Sequence, residues 1–349
     1  MSDTKTERKD SMKSTWRTAD RSQWTIYHRL LDSGGLHHVD LDREIPTFPK
    51  MAKVPYLSDW QLNRFIIFYS VVPFALHELY VRVTGHNLRP IMAYMLYYQA
   101  TKTMMTQALH SMKELGHTVG FLDGDKHERD GVPDVGVKRT FIAMTLAGLS
   151  RMFAMIYLTY SVDRTPAMMN WKWIVPVVGL YAVTLDFWFY WYHRLMHEIP
   201  ILWKFHRTHH LTKHPNMLLA GYADFEQEVL DAIGIPLLTF FSLRAVGVPF
   251  DFYTFFACVQ TVTFSEVSGH SGVRMYASAP GPLTWLWRLV DAELIIEDHD
   301  LHHRIGYRKS HNYGKQTRVW DRVFGTCYPR VESILANVDY DQRLRLALW

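Results

Sequence analysis

Cysteine is the scarcest residue in this 349-residue chain, with Cys258 and Cys327 as the only two. Two cysteines cannot build a disulfide framework, so a small cross-linked secreted fold is excluded. Charged residues are also few, at 21%, and 38 basic residues against 34 acidic ones leave a net charge of +4. So small an excess argues against nucleic-acid binding, which relies on many phosphate contacts. Because 48% of the residues are hydrophobic, a disordered or collagen-like protein is excluded as well.

The sequence also lacks several motifs that mark other metal or cofactor enzymes. A zinc protease needs HExxH, but the His-Glu pairs at 77–78 and 127–128 lack the second histidine. A soluble carboxylate di-iron bundle needs two ExxH groups, and only residues 114–117 match. A GxGxxG nucleotide loop is absent. We expect three of the remaining histidines to be loop residues: His110, His117 and His127.

The hydrophobic residues are concentrated in long segments. Residues 65–81, 141–162 and 173–192 are at or near the roughly 20 residues that a membrane-spanning helix needs, and aromatic residues are frequent near their ends. A fourth zone, residues 232–264, is interrupted by Gly and Pro and is predicted to form a helical hairpin. The alternative is a soluble all-α protein in which these segments are buried core helices. Residues 1–60 are polar and do not predict a cleaved secretory signal.

Loop charge predicts how these segments cross the membrane. The short turn at 163–170 holds one basic residue, so it is expected on the lumenal side, with the chain from His193 onward on the cytosolic side. The basic loop at 110–139 is then cytosolic too, and keeping the N-terminus on that side needs one more crossing, for which residues 90–109 are the candidate. The fold class predicted is all-α: a membrane bundle of about four spans plus a shallow hairpin, with a cytosolic, histidine-rich helical cap.

Histidine is the residue that carries the chemistry, with 19 copies in the chain. Eight of them fall into one HxxxH group and two HxxHH groups: His193, His197, His206, His209, His210, His299, His302 and His303. Within each group the spacing puts the rings on one helical face. Imidazole suits iron, zinc and copper, and eight are too many for one ion. The pattern therefore predicts a two-metal centre in the cap with about four nitrogens per metal, and His270 is a candidate ninth ligand.

Metal-bound imidazoles are normally oriented by an acceptor on their other ring nitrogen, often a carboxylate. Asp186 lies on the same helical stripe as His193 and is the preferred candidate, with a buried polar cap as its alternative. Further candidates are Glu198, Asp298, Asp300 and Asp321.

Residues 186–326 resemble the fatty acid hydroxylase/sterol desaturase superfamily of membrane di-iron oxidases. DFWFYWYHRLMHE and WKFHRTHH are similar to its first two histidine boxes, and HDLHHRIGYRKSHNYGKQTRVWDRVFGT is similar to the last box with its trailing elements. Asn312 and Asp321 lie in those trailing elements and join Asp186 as candidate catalytic residues. His270-Ser-Gly resembles an element of the sterol C-4 methyl oxidase branch. Some lipid-hydroxylating members carry a second histidine four positions later, where this chain has Arg274.

The resemblance implies a hydroxylase/desaturase domain over residues 173–327. Composition and hydropathy divide the rest of the chain into a polar cytosolic segment (1–60), a region of membrane spans with a cytosolic loop (61–172) and a tail (328–349). It implies two iron ions, O2 as co-substrate, and an external electron donor of the cytochrome b5 type with an NAD(P)H-dependent reductase. The implied reaction is hydroxylation or desaturation of a lipid-like substrate, such as a sterol, a fatty acyl or sphingoid chain or another hydrophobic intermediate. The implied location is the endoplasmic reticulum membrane, with a bacterial inner membrane as the alternative.

The sequence leaves two questions open: the role of the basic residues near the site, and the class of function. Basic residues near the site are candidates for receiving an acidic electron donor, or equally for facing lipid headgroups: Arg207, Arg304, Arg308 and Lys309. The competing functions are a non-catalytic membrane protein with a structural two-zinc histidine cap and a soluble metal-dependent hydrolase.

Overall fold

The computed structural model describes residues 8–349, and most of them are helical. In chain order the elements are α1 (Ile26–Ser33), β1 (Val54–Tyr56), α2 (Asp59–Thr84), α3 (Pro90–Val119), α4 (His127–Asp130), α5 (Val137–Thr159), α6 (Ile174–Glu198), α7 (Pro200–His206), α8 (Phe225–Val229), a π-helix (Leu230–Gly234), α9 (Ile235–Ala245), α10 (Phe252–Gly269), α11 (Thr284–Leu289), α12 (Ile296–Arg304), α13 (Val319–Phe324) and β2 (Val338–Arg343).

The five longest helices, α2, α3, α5, α6 and α10, form the bundle. α3 packs against both α2 and α5, and α6 packs against α9 and α10. The boundary between α2 and α3 follows from local chemistry: Gly85 ends α2 in the left-handed region with φ 71°, and Pro90 begins α3 at a position where its missing N–H is not needed. Large aromatic side chains fill the centre of the bundle, including the fully buried Tyr97, Tyr181 and Phe256.

Three helical stretches within residues 8–349 are long and apolar enough to cross a membrane: Asp59–Thr84, His127–Thr159 and Trp171–Glu198. They contain the three longest apolar segments of the sequence, and the hairpin expected over 232–264 forms as α9 and α10. The fourth expected span, 90–109, is helical as part of α3, but α3 is not among the candidate spans in the described chain. Its Tyr, Gln, Thr and Lys residues lower its hydropathy, so three helical stretches of residues 8–349 meet the length and composition of a membrane span where about four spans were expected, although α3 also runs from the Asn87 end of the bundle to the cap.

The connections at the two ends of the bundle differ in character. At one end, short loops are tied together: the Asn87 side-chain amide donates to the carbonyls of Val162 and Arg164 at 2.8 Å, and the Tyr253 hydroxyl donates to the same Arg164 carbonyl. At the other end the chain builds a cap from α7, α8, α11 to α13 and the small sheet. In that sheet β1 and β2 pair in parallel, with Val54 opposite Val338. The histidine groups all belong to this cap end.

Residues 8–60 pack onto the cap end of the helices, where Trp16, Trp24 and Leu31 join the hydrophobic core. Two histidines of α3 hold this segment in place: the His117 ring accepts from the Asp40 N–H at 2.9 Å, and the His110 ring lies 3.2 Å from the Gly35 carbonyl oxygen. The expectation that they are loop residues was wrong, because α3 continues past its apolar part to Val119. His127 is likewise the first residue of α4.

Candidate metal centre

Four separate segments bring the histidines to one place in the cap. The last two turns of α6 carry His193 and His197, and the α7 region carries the next three after a sharp turn at Ile199. His270 caps the C-terminal end of α10, and α12 carries the last group. All nine side chains are buried. The close approach of these segments therefore depends on tertiary packing between the end of the bundle and α12.

The nine imidazoles divide into two clusters, and within each cluster the ligand atoms all lie within 4.8 Å of one another. The first cluster has five members: His193, His197, His206, His210 and His302. The second has four: His209, His270, His299 and His303. The structure thus brings the eight box histidines and His270 together as a five-plus-four arrangement, in place of two equal sets.

Inside the clusters the Nε2 atoms face one another at short range. The distance is 3.0 Å between His193 and His206, 3.0 Å between His302 and His210, and 2.9 Å between His299 and His270. Two nitrogens bound at right angles to one ion at about 2.1 Å lie about 3.0 Å apart, so these separations fit metal ligation. The Nε2 atoms of His197 and His303 are buried with no hydrogen-bond partner. A shared cation satisfies both observations.

The hydrogen bonds of the outer ring nitrogens, Nδ1, explain why the inner nitrogens, Nε2, carry a lone pair and no proton. The Nδ1 atom of His193 donates to the Tyr313 carbonyl at 2.9 Å, and that of His206 donates to the Gln227 side-chain oxygen at 3.0 Å. With the proton on Nδ1, both Nε2 atoms present lone pairs, which repel at 3.0 Å unless a cation lies between them. The Nδ1 atoms of four more rings also bond to backbone carbonyls: His197 to Arg308, His270 to Glu266, His302 to His311, and His303 to Thr212.

Burial keeps the imidazoles of the cap neutral. It lowers the pKa of His209 to about 3 and that of His270 to about 4, and the neighbouring ring of His270 contributes to the shift at His209. The pKa values of five others lie well below the usual range for the same reason: His206, His210, His299, His302 and His303. A neutral imidazole is the form that binds a metal, so the site is prepared for ligation at physiological pH.

Asp186 is fully buried on α6 but does not bond to an imidazole. Its carboxylate accepts from the backbone N–H groups of Lys315, Gln316 and Thr317 at 2.6, 3.0 and 3.1 Å, and from the Thr317 hydroxyl at 2.7 Å. The expected hydrogen bond to a metal-binding histidine is therefore corrected to the alternative, a buried polar cap. The reason is that the loop after His311 folds back over α6 and presents three N–H groups that need an acceptor.

Asp321 and Asn312 fix the same loop from the other side. The Asp321 carboxylate accepts from the N–H groups of Tyr313 and Gly314 at 2.8 and 2.7 Å. Asn312 has φ 51°, a left-handed conformation that asparagine tolerates, and its side chain donates to the Asp298 carbonyl at 2.9 Å. Because the Tyr313 carbonyl in this loop accepts the hydrogen bond from His193 Nδ1–H, Asp321 and Asn312 hold the loop that orients His193, and neither belongs to a histidine cluster.

The remaining candidate carboxylates pair with arginines. Asp298 binds Arg330 at 2.8 Å, Asp300 binds Arg304 at 2.7 Å, and Glu198 binds Arg194 at 2.7 Å at the surface. The outer acceptors are instead carbonyl oxygens, because loops lie against the histidines where carboxylates were expected. Two outer acceptors have no signal in the sequence: Gln227, whose spacing from the histidine groups is not distinctive, and the Tyr313 carbonyl, which belongs to the backbone.

Arg274 occupies the position at which some relatives of the family carry a further histidine. Its guanidinium binds Glu332 at 2.8 Å and donates to the Lys53 carbonyl at 3.0 Å, and both members of the ion pair are buried. This side chain therefore ties the cap to the N-terminal segment and is not part of either histidine cluster.

The fold and the site together define a helical protein with three candidate membrane spans among residues 8–349 and a buried two-cluster histidine centre. Residues 178–326 match the fatty acid hydroxylase family. A fatty acid hydroxylase of Lecanicillium sp, vlmA, is 38% identical over 317 residues, which cover 87% of this chain and 87% of that protein. The chain therefore belongs to the fatty acid hydroxylase family.

More distant relatives show the breadth of that family. Alkylglycerol monooxygenase of Xenopus tropicalis is 27% identical over 60% of this chain and 40% of its own length. Methylsterol monooxygenase 2-2 of Arabidopsis thaliana is 27% identical over 50% of this chain and 61% of its own length. No solved structure matches the chain significantly.

Proposed function

We propose that this protein is a membrane di-iron oxygenase that uses O2 and external electrons to hydroxylate or desaturate a lipid-like substrate. The observation that supports it most directly is the pair of buried imidazole clusters whose Nε2 lone pairs converge. Iron is proposed from the imidazole donor set and from the oxygenase names of the relatives. When bound, the metal pair supplies O2 activation and the oxidation of an unactivated C–H bond.

The residues of the chain contribute position and environment to this reaction. The carbonyls of Tyr313, Arg308 and His311 hold the imidazoles in one tautomer and one orientation. Asp186 and Asp321 hold the loop that supplies the Tyr313 carbonyl. The burial of all nine rings excludes bulk water, which protects an oxidising centre from side reactions.

The electrons are proposed to come from a cytochrome b5-type donor with an NAD(P)H-dependent reductase. Of the four basic residues considered for its docking, Arg304 is engaged by Asp300 and Arg207 binds Asp10 at 2.8 Å. Arg308 and Lys309 are exposed on the loop next to α12, and the Arg308 carbonyl accepts from His197. An acidic electron donor bound at this loop would therefore lie close to the first cluster, to which His197 belongs.

A multi-pass location in the endoplasmic reticulum is proposed, with the cap on the cytosolic side. The support is the alternation of the long helices, which places the basic segment before α5 and the histidine clusters at the same end of the bundle. A substrate dissolved in the bilayer then reaches the centre from the side, between helices.

The test is metal content and O2 consumption of the purified full-length protein. The wild type is expected to hold about two iron ions per chain, given the two clusters, and to consume O2 only with an electron donor. His209→Ala and His302→Ala should abolish turnover while the protein stays folded. His86→Ala, which alters an exposed histidine, is the matched control.

Two outcomes would contradict the proposal. Zinc as the bound metal, with no activity after reconstitution with iron, would favour a structural two-zinc cap. Loss of expression in His209→Ala and His302→Ala, with His86→Ala expressed normally, would also favour the structural role, since a purely structural metal supplies folding energy.

A further inference from the structure

Two aromatic rings connect the first histidine cluster to the surface of the cap. The Trp203 ring, on α7, lies 5.2 Å between centroids from the His197 ring and 5.7 Å from the His210 ring. Trp203 also contacts the Tyr307 ring at 4.9 Å, edge to face. Trp203 is 9% exposed, whereas Tyr307, on the loop after α12, is 36% exposed. A continuous line of rings therefore runs from the surface to two candidate metal ligands.

This line is shorter than the other line of rings that reaches the surface. The other begins at Tyr313, 5.6 Å from His193, and reaches the exposed Phe324 only through Tyr190, in steps of 6.0 and 5.2 Å. Among residues 8–349, the rings of the second cluster contact only other histidine rings. A path along aromatic rings therefore leads from the surface to the first cluster and not to the second.

The surface around Tyr307 is basic. The Lys213 ammonium group lies 4.6 Å from the centroid of the Tyr307 ring. Aromatic residues are enriched in protein interfaces, and opposite charges steer the approach of a partner. An exposed ring among cations therefore suits an acidic protein. Three more exposed basic residues are sequence neighbours of the two rings: Lys204, Arg308 and Lys309.

The loop that carries Tyr307 is also bonded to the first cluster. The Arg308 carbonyl accepts from the Nδ1 atom of His197 at 3.2 Å. This bond holds the loop beside the ligand, so the contact between Tyr307 and Trp203 does not depend on the two rings alone. An electron tunnels faster through closely packed atoms than across a gap, and protein interiors are closely packed. A protein that docks over Tyr307 is then separated from His197 by two packed rings.

We propose that an acidic one-electron carrier protein docks over Tyr307 and that the Trp203 ring conducts its electrons to the first cluster at His197. This inference deepens the proposed function and rests on it, because it names the place where the external electrons enter. Each transfer oxidises the carrier by one electron and reduces the metal pair by one. Two transfers, with two protons from water, convert O2 into one hydroxyl group on the substrate and one water molecule. Neither ring changes its own oxidation state, so any aromatic ring at position 307 suffices.

The experiment follows electron transfer from the reduced haem domain of cytochrome b5, an acidic one-electron carrier. The full-length, iron-loaded protein in detergent is mixed with it rapidly without O2, and haem absorbance reports the limiting rate at saturation. Trp203→Leu and Tyr307→Ala should each slow this rate by roughly tenfold or more, because a void replaces part of the packed path. Tyr307→Phe should keep the wild-type rate. Tyr340→Ala, an exposed tyrosine whose ring contacts Tyr56, is the matched control.

Docking is measured separately, as the dissociation constant of the same haem domain for the metal-free protein. Arg308→Glu combined with Lys309→Glu should weaken binding by roughly tenfold or more at low ionic strength, because like charges then face each other. The difference from the wild type should shrink as salt is added. Arg343→Glu combined with Arg345→Glu, an exposed basic pair at the end of β2, is the matched control and should bind like the wild type.

Wild-type transfer rates in Trp203→Leu and Tyr307→Ala overturn the proposal, and so does unchanged binding by the doubly charge-reversed variant of 308 and 309. If Trp203→Leu does not fold, Tyr307→Ala decides, since its side chain lies at the surface. A rate in Tyr307→Phe as slow as in Tyr307→Ala contradicts conduction through the ring.

Reduction by dithionite separates this inference from the proposed function. Reduction of the iron-loaded wild type by dithionite, but not by the haem domain, refutes this inference alone. A wild type that binds the haem domain but takes up no electrons from it or from dithionite refutes the proposed function, whereas the docking surface then stands.

Discussion

Asp186→Asn is the substitution that tests how the cap positions His193. The amide can keep its carbonyl oxygen toward the N–H groups of Lys315 and Gln316, but its NH2 group replaces the oxygen that accepts from Thr317. The Thr317 N–H then faces a donor in a buried place, which costs about 1–3 kcal/mol. Loss of the negative charge weakens the two remaining bonds by about 1 kcal/mol each.

The expected total is about 3–5 kcal/mol of the free energy of unfolding. At about 2 °C per kcal/mol for a large chain, the Tm of the purified protein should fall by roughly 6–10 °C. Because the displaced loop carries the Tyr313 carbonyl, the iron content of the folded fraction should fall too. Thermal unfolding and metal analysis on the same preparation measure both effects.

Glu198→Gln is the matched control, since it makes the same chemical change on the same helix. Glu198 forms a surface ion pair with Arg194 at 2.7 Å, and such pairs contribute about 0.3–0.5 kcal/mol. If Asp186→Asn is too unstable to purify, Thr317→Val removes only the hydroxyl and should show a smaller loss in the same direction. A wild-type Tm and full iron content in Asp186→Asn would refute the positioning role of the loop.

Two further predictions concern acid stability and Arg274. The folded, metal-free protein holds the histidines of the cap neutral, with pKa values of about 3 for His209 and about 4 for His270, whereas the unfolded chain protonates them near pH 6.5. The unfolded state therefore binds more protons below about pH 6.5, so the Tm of metal-free protein should fall between about pH 7.5 and pH 5.5, and a constant Tm would contradict this. Arg274→His should leave the iron content no higher than in the wild type and should destabilise the protein by about 3–5 kcal/mol, because it leaves Glu332 unpaired; a gain of metal would show that the position reaches the clusters.

The histidine clusters were predictable from the sequence because their signal is repeated. One HxxxH and two HxxHH groups put eight rings on helical faces, and all eight lie in the two clusters. The hairpin of α9 and α10 was predictable as well, since Gly and Pro interrupt an otherwise apolar stretch. In both cases the residues that form the pattern along the chain are the same residues that the folded structure uses.

The outer acceptors were not predictable, because a backbone carbonyl has no residue type. The sequence suggested carboxylates for this role, yet Asp186 binds the loop at 315–317 and Asp298 binds Arg330. The length of α3 was missed for a different reason. Its second half buries His117 against the N-terminal segment, a contact between residues 73 or more positions apart that hydropathy does not report.

The use of carbonyls as outer acceptors has an electrostatic consequence for the centre. A carboxylate on the outer nitrogen would both orient the ring and add negative charge, whereas the carbonyls of Tyr313 and His311 orient the ring and add none. Six of the nine imidazoles have a neutral acceptor on the outer nitrogen, and the Nδ1 atoms of His209 and His210 have no partner, so these contacts add no negative charge to offset bound metals. The buried carboxylate of Glu266, whose backbone carbonyl accepts from His270, is paired with Arg151 and Lys315. The groups that contact the candidate metal centre therefore add little net charge, and protonation of any one imidazole there is opposed by burial and would be opposed further by bound cations.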